Sequence, residues 1–253
     1  MRKIFLIASA VLLVTGLASR ASAITADSLF AVANRQYDNK DYGKALDSYL
    51  RLEKNDMISA ALYYNIGNCY FKQNKLGYAI LYYLRAKRLK PNDNDINANL
   101  AFARQFMPTR LEGVRINPVT TFLDSMVAPF TINGIAWVSS ALFILFILFL
   151  CAAVFLAWHG FWVKLAGYLL LIILLIFSGL TTYKYRTDYM VKKGVIVTDQ
   201  AQIYSGPGED NDLEFVGAYG LTFQIEKSTD KYYLAIFENQ RRGWISKGSA
   251  EVI

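Results

Sequence analysis

Residues 60–93 read AALYYNIGNCYFKQNKLGYAILYYLRAKRLKPND, and the rest of the chain is best read outward from them. Tyr63, Ile66, Gly67, Tyr70, Ala79, Tyr83 and Ala86 recur at helical spacings before Pro91. The pattern predicts two helices folded against each other, with Gly67 and Ala79 small where the backbones cross. Moving back by 34 residues gives Leu29, Val32, Ala33, Gln36, Ala45, Tyr49, Leu52 and Met57, so the same unit occurs twice in register. Moving forward by 34 gives Asn97, Leu100, Ala101 and Arg104. A helix over Asp95 to Phe106 fits there, but Gly113 and Pro118 stop a partner helix. The expectation is two helical hairpins and one capping helix within residues 24–106, a short stack where about three repeats normally bury a continuous core. The shortfall implies docking on something else.

The period and the residues Ala33, Ala45, Gly67, Tyr70, Ala79, Tyr83 and Pro91 resemble the tetratricopeptide repeat family. The resemblance implies that extended peptides or partner helices bind the concave face formed by the first helix of each repeat. Phe30, Asn34, Tyr37, Tyr64, Asn68, Phe71 and Phe102 should line it. Asn34 and Asn68 are candidate clamps on a peptide backbone, because an amide both donates and accepts hydrogen bonds.

Composition sets the surroundings of that stack. Apolar residues make up 54% of the 253 and charged residues 19%, a balance that calls for segments buried in lipid. One His and two Cys leave no His or Cys metal cluster and little material for a triad, so no catalytic residue, metal or cofactor is expected. Cys69 falls in a helical pattern and Cys151 in an apolar run, which argues against pairing. The net charge of +7 is spread along the chain, with 13 basic and 9 acidic residues over 24–112 and 9 against 10 over 184–253. Such a distribution lacks the basic stripe of a nucleic-acid binder.

Residues 1–23 read as a signal peptide: Arg2 and Lys3, an apolar run from Ile4 to Leu17, then Ala21-Ser22-Ala23. Residues 107–134 read as a proline-marked linker in which Val119, Phe122, Leu123, Met126 and Val127 predict a short interfacial helix. Residues 135–158 and 161–183 are each long and apolar enough to span about 30 Å of hydrocarbon, with Trp and Tyr at their ends. Only His159 and Gly160 separate them, so a hairpin returns the chain to the side from which it came. With an exported N-terminal region, both soluble parts are expected outside the cytoplasm. Lys184, Arg186, Lys192 and Lys193, which follow the second span, run against the positive-inside tendency.

Residues 191–253 change to short alternating runs with glycine turns, the pattern of a small β domain. Ser205-Gly206-Pro207-Gly208 and the later Gly243-Trp244-Ile245 resemble bacterial SH3-like domains, which implies a closed barrel plugged by the Trp244 indole. The order of signal, tetratricopeptide repeats, two-span hairpin and SH3-like domain resembles the BatE proteins of the Bacteroides aerotolerance operon. That resemblance implies a mixed multi-domain protein of the bacterial inner membrane with periplasmic domains. It also implies a role in aerotolerance or envelope stress, with von Willebrand A-domain membrane proteins as partners. A non-enzymatic scaffold follows from two interaction modules without a catalytic constellation, and a peptidoglycan-binding receptor acting through the SH3-like domain is the alternative.

Overall fold

A computed structural model describes residues 26–108, 118–158 and 160–253 of the chain. The signal segment 1–23 and His159 of the hairpin turn lie outside the described residues. The helices are α1 (26–38), α2 (Tyr42–Lys54), α3 (Ala60–Lys72), α4 (Leu76–Leu89), α5 (Asn94–Gln105), α6 (Pro118–Val127), α7 (Ile132–Phe155) and α8 (Phe161–Tyr185). One π-helical turn, Arg186–Met190, leads into strands β1 (Lys193–Ile196), β2 (Gln200–Tyr204), β3 (Leu213–Ala218), β4 (Thr222–Ser228), β5 (Tyr232–Phe237), β6 (Arg242–Ser246) and β7 (Ala250–Val252).

The 34-residue period is visible in the backbone. Lys40 and Asn74 both take positive φ, 64° and 59°, where the first helix of each pair ends. Ala33, Ala45 and Ala79 are fully buried where helices cross. A Cβ on Gly67 would lie 2.7 Å from the Tyr83 ring, so only glycine admits that tyrosine. Side-chain caps start α3 and α5: Ser59 accepts from the Leu62 amide at 3.1 Å, and Asp93 from those of Asp95 and Ile96.

Helices α7 and α8 are long and apolar enough to cross a membrane. Thr131 caps α7 by accepting from the Gly134 amide, which sets its start three residues before the sequence-based boundary. The two helices pack as a hairpin, joined near its open end by a 2.8 Å hydrogen bond between Ser139 and Thr181. Tyr183 donates to Asp124 at 2.8 Å and ties α6 beside them.

The C-terminal region is an antiparallel sheet in the order β3-β2-β6-β5-β4-β1-β7. Bulges between Ile203 and Tyr204 and between Ile225 and Lys227 help it curl around Ile196, Ile203, Phe223, Phe237 and Ile245. The expected closed barrel is instead an open sheet, because the edge strands β3 and β7 do not pair with each other. The expected indole plug is also displaced. Side chains alternate along a strand, so Gly243 and Ile245 turn inward and Trp244 sits half-buried on the other face. Ile245, fully buried, fills the place expected for Trp244.

The helical stack and the sheet share one core. Val195 and Val197 point away from Ile196 and join the cluster that contains Tyr49, Ile66, Ile80 and Tyr83. Burying each valine contributes about 1.5–3 kcal/mol. The approach is close: a Cβ on Gly77 of α4 would lie 2.4 Å from the Val197 carbonyl oxygen. Gly220, at φ +83°, turns the β3–β4 connection against Ile80 and Met107. Arg85 clamps the contact by donating to the Val252 carbonyl at 2.7 Å while it pairs with Glu53 at 3.4 Å. Tyr219 adds a 2.5 Å hydrogen bond to the Phe106 carbonyl. The sheet therefore covers the second-helix side of the stack and leaves the first-helix side open.

Candidate functional site

The open side carries a groove of about 280 Å³ between α1, α3 and α5. Tyr37, Tyr64, Asn68, Phe71, Lys72, Tyr83, Asn99 and Phe102 line it. Five of the seven residues expected on this face are thus brought together. Phe30 and Asn34 are not among them. The Phe30 ring lies edge-on to Tyr49 at 5.6 Å, and Asn34 belongs to the internal bonding of the stack.

That bonding repeats with the sequence. Tyr49 donates to Asn34 Oδ1 at 2.6 Å, and Asn65 Nδ2 donates to the same oxygen at 3.2 Å. Thirty-four residues later Tyr83 donates to Asn68 Oδ1 at 2.8 Å, and Asn99 Nδ2 donates to it at 3.0 Å. Each asparagine holds the buried tyrosine of its own repeat and an asparagine on the first helix of the following unit. The carbonyl oxygens of Asn34 and Asn68 are committed to the fold, so the two-way amide clamp expected from sequence reduces at Asn68 to its NH₂ donors. Asn99 was missed by sequence reasoning, although its place 34 residues after Asn65 is the signal that finds it. It also donates to the Tyr64 hydroxyl at 2.9 Å.

At one end of the groove the rings of Phe71, Phe102 and Phe106 pack with centroids 5.2–6.1 Å apart. Phe102 and Phe106 remain about half exposed, an apolar surface beside polar donors. Burial, with a smaller contribution from nearby Cys69, pushes the Tyr37 hydroxyl up to about 12. Burial likewise raises Tyr83, helped by Tyr64. Both hydroxyls therefore stay protonated at neutral pH, and Lys72 is the charged side chain among the lining residues. An uncharged floor of donors with aromatic walls suits the carbonyl oxygens and apolar side chains of an extended peptide.

The remaining signature residues serve the scaffold. Tyr70 stacks on Tyr78 and Tyr82 at 5.1 and 5.5 Å, and the Pro91 carbonyl accepts from Asn97 at 2.8 Å. In the sheet, the Ser205 amide donates to the Asp212 carbonyl at 2.9 Å and closes the loop that contains Gly206, Pro207 and Gly208. A Cβ on Gly206 would strike Asn211, whose side chain donates to the Gly208 carbonyl. Gly243 lies opposite Ala235, and Trp244 opposite Leu234 and Tyr204. Cys69 is buried and Cys151 exposed on α7, both as free thiols. Burial pushes the Cys69 thiol up to about 12, which keeps it protonated and poorly nucleophilic. Among the described residues no three His, Cys, Asp or Glu side chains converge as a metal site.

Residues 60–93 match the tetratricopeptide repeat family. No curated protein matches the chain. Repeats of this family are typically protein–protein interaction modules, and here the match sits on a chain with two helices long and apolar enough to span a membrane.

Proposed function

We propose that the chain is a membrane-anchored adaptor whose repeat groove holds an extended peptide segment of a partner protein. The observation that carries this reading is the convergence of Tyr37, Tyr64, Asn68, Phe71, Asn99 and Phe102 on one open face. The sheet covers the opposite face of the stack. In this reading residues 24–106 bind, 107–134 lead into the membrane, the spans at 135–158 and 161–183 anchor, and 191–253 form an SH3-like domain braced against the repeats. The order of these parts supports placement with the BatE proteins in the bacterial inner membrane. Both soluble parts would then be periplasmic, and von Willebrand A-domain membrane proteins would be the partners in an aerotolerance or envelope-stress complex.

The test is affinity capture from native membranes with the full-length tagged chain and a Tyr37→Phe/Phe102→Ala variant, which removes one donor and one exposed ring without touching the Asn68–Tyr83 bond. Capture of von Willebrand A-domain proteins by the wild type, and its loss in the variant, is the expected result. Equal capture by both would remove the groove from the mechanism. A second reading rests on Trp244, whose half-exposed indole stands beside Tyr204 on the sheet. As an SH3-like surface it would hold peptidoglycan, and the chain would then sediment with purified sacculi in a manner that Trp244→Ala abolishes.

A further inference from the structure

A second cavity, about 620 Å³, lies where the stack, the sheet and the end of α8 meet. Six basic side chains line it: Lys87, Arg88, Arg104, Lys184, Lys192 and Lys193. They come from α4, α5, the last turn of α8, the residue before β1 and the first residue of β1. Attraction to a helix C-terminus accounts for Lys87 and Arg88 on α4, but not for four separate elements converging with one sign of charge. The single acidic side chain in the lining, Asp188, is taken by Lys184 at 3.0 Å. Arg88 donates to the Ile253 carbonyl at 3.2 Å and lies over the Tyr189 ring at 4.7 Å. Among the described residues, Lys87, Arg104 and Lys192 have no carboxylate within ion-pair distance. Partial burial and then the charge of Arg104 push the Lys87 ammonium below the ordinary lysine value. Lys87, Arg104 and Lys192, gathered with no carboxylate side chain in reach among the described residues, leave an excess of positive charge that makes an anion site.

Its position says which anion. Ala128, four residues before α7 begins, and Lys184, in the last turn of α8, both face the cavity. They are the two points where the hairpin meets its soluble parts. Tyr185 and Tyr189 stack beside it at 5.6 Å, amphipathic rings of the kind that sit at headgroup level. Leu84, Ile225 and Val252 supply apolar wall between the charges.

We propose that this cavity binds the phosphodiester headgroup of an anionic phospholipid at the membrane surface. The proposal rests on the membrane-anchored reading. Bound lipid would bridge α4, α5 and β1 and so hold the soluble parts at a fixed height over the bilayer.

The test uses the full chain. Resistance to alkaline carbonate extraction from membranes is expected, and release would overturn anchoring and this inference together. The chain in neutral detergent is then titrated with phosphatidylglycerol or phosphatidylcholine and followed by native mass spectrometry and thermal unfolding. Phosphatidylglycerol should bind and raise the unfolding temperature, with weaker binding at high salt. Lys87→Gln/Arg104→Gln, both at exposed helix positions, should lower its affinity about tenfold or more, whereas Lys54→Gln/Lys231→Gln, remote from the cavity, should leave it unchanged. An anchored chain that does not distinguish the two lipids, or an equal loss in both double variants, would overturn the lipid site alone. Inorganic phosphate that stabilises the chain as well as the lipid does would reassign the cavity to a soluble anion.

Discussion

Gly43 and Gly77 occupy the same position of two successive repeats, 34 residues apart, each second in its helix. A glycine in a helix costs roughly 0.5–1 kcal/mol relative to alanine, so alanine at either site would stabilise a free-standing stack. Their surroundings differ. A Cβ on Gly43 meets nothing within 4 Å, whereas on Gly77 it would lie 2.4 Å from the Val197 carbonyl oxygen and 2.7 Å from Val197 Cα. Those atoms are backbone and cannot rotate aside, so α4 and β1 must separate by close to an ångström. Overpacking of this kind costs about 1–3 kcal/mol. Gly43→Ala should therefore stabilise by up to about 1 kcal/mol and Gly77→Ala should destabilise by about 0.5–2 kcal/mol, opposite signs from one chemical change. Thermal unfolding of the full chain in neutral detergent, followed by circular dichroism, should show shifts of a few degrees in opposite directions. A parallel rise in both variants would refute the shared core and leave repeats and sheet as independent bodies.

The Asn68–Tyr83 bond is testable in the same assay. Asn68→Ala leaves the hydroxyl of Tyr83, which is 1% exposed, without its acceptor and should cost about 1–3 kcal/mol. Adding Tyr83→Phe should recover part of that loss, and no recovery would mean that the hydroxyl finds another partner. Cys69 and Tyr37 hold their protons more tightly folded than unfolded, with ordinary values of 9.0 and 10.0 raised to about 12. For acids shifted upward, the stabilisation is complete below the unfolded value and disappears as pH climbs through the folded one. Far-UV ellipticity of the stack should thus hold to about pH 9 and fall between there and pH 12, and a flat profile over that window would count against burial of these groups. Between the spans, Ser139→Ala removes the bond to Thr181 and should weaken the hairpin by about 0.6 kcal/mol, read as a small fall in the denaturant midpoint.

The repeat was legible because its signals are local. Small residues at Ala33, Ala45, Gly67 and Ala79 and tyrosines at Tyr49 and Tyr83 are fixed by crossings within one hairpin, and 34-residue self-similarity exposes them. The groove was partly legible for the same reason. The tetratricopeptide resemblance implies one face for Tyr37, Tyr64, Asn68, Phe71 and Phe102, but it cannot say that Asn34 is spent on Tyr49 and Asn65. The shared core is not legible from local spacing, although the sequence holds a clue. Val195-Ile196-Val197 is a continuous apolar run of β-branched residues, and such a strand needs cover on both faces. Sheet curl covers only Ile196, and the cover for the two valines lies more than 100 residues earlier, on a helix that sequence assigns to another unit.

That long-range contact answers the shortage of repeats. Two hairpins and α5 leave the second-helix side of the stack, with Ile80 and Tyr82, in need of a neighbour, and a third repeat would extend the stack only at its end. The curled sheet supplies cover along that side instead, through Val195, Val197 and the Arg85 clamp on Val252. Groove and sheet are then two faces of α4. Tyr83 reaches the groove from it, Gly77 and Arg85 hold the sheet to it, and Arg88 ends it against Tyr189, in the π-helical turn that follows α8. Gly77 leaves no room for α4 to shift towards β1. On the adaptor reading, a load on the groove at Tyr83 would be felt through α4 at the Arg85 and Arg88 contacts.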